Sequence, residues 1–286
     1  MRLPVALALL ACTLHAAEPL HRFLCIDNFA VSNANRLILV DQSQPSNSWD
    51  VAIPAGSRDI QVLDEGRRVL ISHGNGAAEY EVSTGRPLAW RIASYRDIQS
   101  VVRRPNGETW LVGLDGTLYR LDANGHELGR AKPATNLNVR LFRPIDDGHV
   151  LVSGAAPRAL FEMTLDGRIE RKVPMFGKSK GYLAVRLTNG HYRTSGGDEC
   201  RIAEITETGE VVWSVGGKDA HPGLGLDFCS GWDLLPNGNF VMANWLGHGR
   251  HGTGVHLAEF TPDNRCVWTW TDHRLARQIT NVKVLN

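Results

Sequence analysis

Between residues 198 and 274 the sequence gathers side chains that can bind a ligand, hold a metal or move a proton. His248 and His251 lie in a Gly-rich segment with Arg250 between them, and Trp245 stands just before. His221, Asp227 and Cys229 lie upstream, Asp198 and Glu199 further back, and His273 with Arg274 follows. Neutral imidazole and carboxylate suit Zn²⁺ or Mn²⁺, and imidazole exchanges a proton near neutral pH. The pattern therefore supports a divalent-metal site with His221, His248, His251 and Asp198 as ligands. It supports equally an acid–base pair in which His248 and His251 are the catalytic groups. Arg250 would grip an anionic group through two parallel N–H donors. His-x-x-His in a loop is less diagnostic than the same pair on a helix. The competing reading has these histidines capping loop carbonyls and the arginine paired with an aspartate. Trp245 also reads two ways, as a platform for a sugar or aromatic ring or as a plug between two loops.

A smaller motif runs twice. Arg58-Asp59-Ile60-Gln61 and Arg96-Asp97-Ile98-Gln99 each open an apolar run, and Asn138 opens the next one. Arg58 and Arg96 are expected at the mouth of a central channel, either lining a polar pocket or bonded from one repeat to the next.

These residues must be positioned by many short strands. Apolar alternation recurs in segments such as Ala77–Val82, Thr117–Asp122, Ala159–Thr164 and Arg201–Thr206. Each is followed by a turn, at Ser83-Thr84-Gly85, Ala123-Asn124-Gly125, Leu165-Asp166-Gly167 and Glu207-Thr208-Gly209. A second series of turns runs in phase, with Pro105-Asn106-Gly107, Thr188-Asn189-Gly190 and Pro236-Asn237-Gly238 among its members. Asn-Gly and Asp-Gly accept the positive φ that tight hairpins need. Two hairpins in roughly every 40 residues make four strands per repeat, the blade of a β-propeller. Five complete repeats fill about residues 55–272, and the sixth is split. Residues 279–285 read as a lone innermost strand, and residues 21–54 as three strands lacking one. Joining the chain ends closes a six-bladed, all-β ring and removes two exposed strand edges. In that ring the loop between the second and third strands of a blade shares a face with the connections between blades. The candidate site then lies on that face over the fifth blade, where both loops are long.

The bulk numbers agree. The chain's 286 residues carry 31 basic and 30 acidic side chains, and no basic run suggests a nucleic-acid partner. Met1-Arg2 followed by an apolar stretch to Cys12 reads as a signal peptide ending at Ala17, too short to span a bilayer. Leu9-Leu10-Ala11-Cys12 also resembles a lipoprotein box, a lesser option. A periplasmic or secreted protein of residues 18–286 is the expectation, with no transmembrane segment. Cys25, Cys200, Cys229 and Cys266 then permit two disulfides or four free thiols.

The segments Ser83–Trp90 and Glu207–Trp213 resemble the outer-strand repeats of the PQQ-like propeller superfamily, in which the tryptophan docks between blades. Leu234–Phe240 is similar to repeats of bacterial arylsulfotransferase-type propellers. Asn244–Gly249 together with Trp270–His273 resembles secreted propellers of planctomycete and verrucomicrobial type. The resemblance implies a repeat fold and inter-blade tryptophans. PQQ dehydrogenases are larger, eight-bladed rings with a vicinal disulfide, and no two cysteines are adjacent here, so PQQ is not expected. No arylsulfotransferase pattern around a central histidine is matched. Two functions remain. One is a binding module for a small polar ligand, a glycan or a protein. The other is a hydrolase or lyase, with or without a metal, acting on a carbohydrate or sulfate ester.

Overall fold

The alternating apolar runs resolve into six four-stranded antiparallel sheets, five of them up-and-down meanders in sequence order. The computed structural model describes residues 19–31 and 34–286, so the expected leader at residues 1–17 lies outside the described residues. The innermost strands of the first five blades are Ile60–Leu63, Ile98–Arg103, Asn138–Pro144, Ala184–Arg186 and Cys229–Leu234. The sixth blade is assembled from both chain ends. Its inner strand is Ile279–Val284, followed outward by Arg22–Val31, Ala34–Asp41 and Trp49–Pro54. Phe23 pairs with Val284 and Cys25 with Val282, so the ring closes through a backbone ladder, as the complementary ends predict. A buried contact strengthens this seam: His21 Nε2 lies 2.6 Å from Glu259 Oε2, and its ring meets Trp268 edge-on at 4.7 Å.

The core lies between blades. Middle strands are buried on both faces, which is why Leu37-Ile38-Leu39 and Val69-Leu70-Ile71 are continuous apolar runs rather than strict alternations. Phe23, Ile38, Val241, Leu257, Ile279 and Val282 form the layer joining blades five and six. Each such side chain contributes about 2 kcal/mol on burial.

Outer strands are stitched by tryptophan. The indole N–H of Trp49 donates to the Val82 carbonyl (3.0 Å), Trp90 to Ala123 (3.1 Å) and Trp213 to Pro262 (2.9 Å). In each case the acceptor lies at the turn between the third and fourth strands of the following blade. Trp268 makes the equivalent reach to Gln42 Oε1 at 3.1 Å. The equivalent turn of the fourth blade needs glycine for a steric reason: at Gly209, where φ is +84°, a Cβ would lie 2.5 Å from the Pro174 carbonyl oxygen of the preceding blade. The four cysteines among the described residues are free thiols, three of them buried.

Candidate functional site

One buried side chain organises the long loops of the fifth blade. Asn244, at the end of the strand Phe240–Asn244, is fully buried. Its Oδ1 accepts from the Asp227 amide (2.7 Å) and the Phe228 amide (3.3 Å), and its Nδ2 donates to the carbonyls of Val255 (2.7 Å) and Gly225 (3.3 Å). An asparagine amide carries both donors and acceptors, so one side chain ties the lead-in loop to the loop that follows. The Trp245 amide donates to the Phe228 carbonyl at 2.8 Å, and the Trp245 indole donates to Asn28 Oδ1 of the sixth blade at 2.9 Å. Phe228 and Trp245 are thereby fixed edge to face, with ring centres 5.9 Å apart.

Beside them opens a cavity of about 130 Å³ at the mouth of the central channel. Arg58, Arg140, Lys180, Tyr182, Phe228, Trp245, His248 and Thr280 line it. They come from connections between blades, from inner-strand beginnings and from the fifth blade's long loop, so these elements do share one face. Arg58 belongs to the first blade and Tyr182 to the fourth, opposite each other in a ring of six. The cavity therefore sits on the axis. Phe228, Trp245 and His248 reach it from the fifth blade, and its other lining residues come from the first, third, fourth and sixth blades.

The cavity is rich in cations and in unsatisfied polar atoms. Among the described residues the buried Arg58 Nε has no hydrogen-bond partner, and the buried Tyr182 hydroxyl, with the Arg58 guanidinium beside it, has no acceptor. Burial raises the Tyr182 pKa while the neighbouring Arg58 and Arg140 cations oppose it, so the hydroxyl keeps its proton and is a donor. Burial, followed by the Arg58 charge, lowers the Arg140 pKa from its ordinary value. Arg140 donates to Asn138 Oδ1 (2.6 Å) and to the Val139 carbonyl (3.1 Å). On the rim, His248 Nδ1 stands 3.5 Å from Asp227 Oδ2, an oxygen that is buried and accepts no hydrogen bond.

The expected metal set does not converge. His221 turns outward to Asn264 Oδ1 (3.1 Å) and rests on Phe260, while His251 meets Gln278 Oε1 (2.8 Å) and Phe29. Asp198 faces Lys180 Nζ at 3.5 Å. Among the described residues no group of three His, Cys, Asp or Glu side chains is placed to hold a metal ion. His248 and His251, expected together as acid and base, are held by different partners, and only His248 lines the cavity. Arg250 is exposed and folds back on its own loop, with its Nε 3.4 Å from Thr253 Oγ1. His273 lies against the buried His256, ring centres 4.6 Å apart, away from the cavity.

The two Arg-Asp-Ile-Gln motifs are not equivalent in space. Ile60 pairs opposite Ile71 in a regular ladder, whereas Ile98 pairs opposite Gly113 and a register shift follows before Ser100. Arg58 lines the cavity and Asp59 is buried, while Arg96, though exposed, lines a separate cavity of about 360 Å³ with Asp97, whose φ is 55°, and Asn138. Sequence reading missed Arg140, Lys180, Tyr182, Phe228 and Thr280. The available signal was positional: each stands at or just before an inner-strand beginning, where Arg58 stands in the first blade.

No protein-family model matches this chain, and no curated protein matches its sequence. Solved structures show the fold. A protein of unknown function from Bacteroides caccae is 20% identical with a TM-score of 0.75, over 92% of this chain and 98% of that one. The WD40 β-propeller domain of Doa1 is 14% identical with a TM-score of 0.60, over 92% of this chain and 82% of its own. Virginiamycin B lyase from Staphylococcus aureus, in a structure with quinupristin, is 13% identical with a TM-score of 0.53 over 87% and 74% of the two chains. The chain is a β-propeller, and at these identities the likeness concerns fold alone.

Proposed function

We propose that this protein is an exported binding module that takes a small polar ligand at the mouth of its central channel. The observation that carries this reading is that, among the described residues, the buried Tyr182 hydroxyl has no acceptor and the buried Arg58 Nε no partner, both lining a cavity walled by Phe228 and Trp245. Native proteins rarely leave such groups unsatisfied, because each costs about 1–3 kcal/mol, and a ligand that bonds them recovers that cost. A concave apolar wall with a few convergent polar groups is the usual form of a small-molecule site. A glycan or a protein loop presenting one polar group belongs to the same reading. The outer-strand tryptophans support kinship with PQQ-like repeats, without PQQ.

The test is a ligand screen by thermal shift on wild type and on Tyr182→Phe and Trp245→Ala variants. Compounds that raise Tm in the wild type should lose most of that shift in both variants. Shifts that persist unchanged in both would refute this site. Export is tested by sequencing the amino terminus of protein recovered from the periplasm, where Glu18 is the expected first residue.

A second reading rests on His248. Asp227 Oδ2 stands 3.5 Å from its Nδ1, so a small approach on ligand binding would make the hydrogen bond that orients an imidazole as a general base. A lyase occurs on this fold among the structural neighbours. In this reading His248 removes a proton from a ligand held by Arg58, Arg140 and Tyr182, without a metal. Replacing His248 with Gln would then abolish turnover and leave binding intact.

A further inference from the structure

The inner strands carry five cations: Arg103, Arg140, Arg143, Arg186 and Lys283. Four of them meet a carboxylate. Arg103 reaches Glu79 at 2.9 Å, Arg143 reaches Asp59 at 2.8 Å, Arg186 reaches Glu162 at 3.3 Å and Lys283 reaches Asp233 at 2.6 Å. Arg140 has no carboxylate within ion-pair distance among the described residues, and neither has Arg58 beside it. Asp59, next to Arg58 in the chain, is turned down the channel and occupied by Arg143, Ser100 and Asn281. Lys180, the third cation at the mouth, already has Asp198. Cations drawn out of water without a counter-charge are costly, and here two sit together, each raising the cost of the other. The Tyr182 hydroxyl is a buried donor with no acceptor, in the same cavity. Each of these groups is short of negative oxygen.

We propose that the natural occupant is an organic oxyanion, a carboxylate, sulfate or phosphate borne on a small flat apolar body. Its oxygens sit among Arg58, Arg140 and Tyr182, and its carbon body lies against Phe228 and Trp245. This rests on the reading of the cavity as a binding site. Guanidinium groups favour such anions because their fixed donors match two oxygens at once. The size follows from the space: a cavity of about 130 Å³ is close to the ~150 Å³ that holds one benzene ring. The carbon body is thus no larger than a single ring, and part of the ligand projects from the open side of the cavity.

The test is calorimetric titration of the purified, untagged protein with benzoate, benzenesulfonate and phenyl phosphate, and with neutral benzyl alcohol. At least one anion should bind about tenfold or more tightly than benzyl alcohol, and weaken as salt is raised. Arg140→Gln and Arg58→Gln should each reduce that preference to under about threefold, and Tyr182→Phe should weaken the preferred anion several-fold. The anion that binds best names the head group. If Arg140→Gln fails to fold, Arg58→Gln and the salt dependence decide by themselves. If benzyl alcohol and the anions bind equally, and Trp245→Ala weakens all of them, the cavity is a site but the oxyanion assignment is wrong. If none of the four probes binds at millimolar concentration, both the assignment and the binding reading fall.

Discussion

Arg143, on the inner strand of the third blade, grips Asp59 at the head of the first blade's inner strand with two parallel bonds, each 2.8 Å long. Asp59 is fully buried and also accepts from the Val101 amide at 3.2 Å and from Asn281 Nδ2 at 3.3 Å. One carboxylate thus joins inner strands of four blades just beneath the candidate cavity. It explains why Arg58 is left without an acid.

Asp59→Ala should destabilise the fold by about 3–5 kcal/mol, because it strands a buried guanidinium. The double variant Asp59→Ala with Arg143→Met should recover part of that loss. Urea unfolding of the two single variants and the double gives the coupling. A sum of independent effects would show that the pair does not tie the blades.

The tryptophan stitches should act as separate, equal contacts. Trp90→Phe and Trp213→Phe each remove one indole-to-carbonyl bond and keep most of the packing. Each should cost about 1 kcal/mol, and the two should add, since they lie at different blade junctions. A shift in urea midpoint at constant slope is the expected readout.

Gly231→Ala tests how tightly the ring closes at its axis. A Cβ there would stand 2.2 Å from Asn281 Oδ1 and 2.8 Å from Asn281 Cα, between the inner strands of blades five and six. Neither strand can retreat without breaking its ladder, so a loss of about 1–3 kcal/mol follows, as for an overpacked core. A variant as stable as the wild type would mean that the strands stand further apart than this.

His256 should make stability depend on pH. It is fully buried, and burial, then the nearby His273, lowers its pKa from 6.5 to about 4. Above pH 6.5 the ring is neutral in both folded and unfolded chains, and its contribution is fully present. As pH falls toward about 4, the unfolded chain takes up a proton that the folded one refuses, and stability drains away. The loss over that window is about 3 kcal/mol. Burial also lowers the His73 pKa, which adds in the same direction. His256→Phe should flatten most of the slope between pH 6.5 and 4 in urea titrations. An unchanged slope would assign it to other groups.

The architecture was legible because it repeats. Turn residues at Pro105-Asn106-Gly107 and Thr188-Asn189-Gly190, in phase with Thr-Gly and Asn-Gly turns, mark strand ends locally, and local chemistry is what a sequence states directly. The two incomplete ends were readable for the same reason, since each lacks what the other supplies. The twin Arg-Asp-Ile-Gln motifs marked two cavity linings, but that Arg58 and Arg96 line different cavities was not visible in the motif. The histidine cluster was legible only as two alternatives, and of its members His248 lines the cavity. His221, His248 and His251 share a stretch of chain, but loop turns aim them at Asn264, Asp227 and Gln278.

Blade number, ring closure and the face that carries the long loops were readable from residue order. These follow from strand periodicity and turn chemistry, which act over a few residues at a time. Tertiary structure alone decided the cavity. Arg58, Arg140, Tyr182 and Thr280 lie far apart along the chain and meet only where inner strands converge on the axis. Whether a cation there is paired depends on which carboxylate the neighbouring blade presents. Asp59 was taken by Arg143, and Arg140 was left with none.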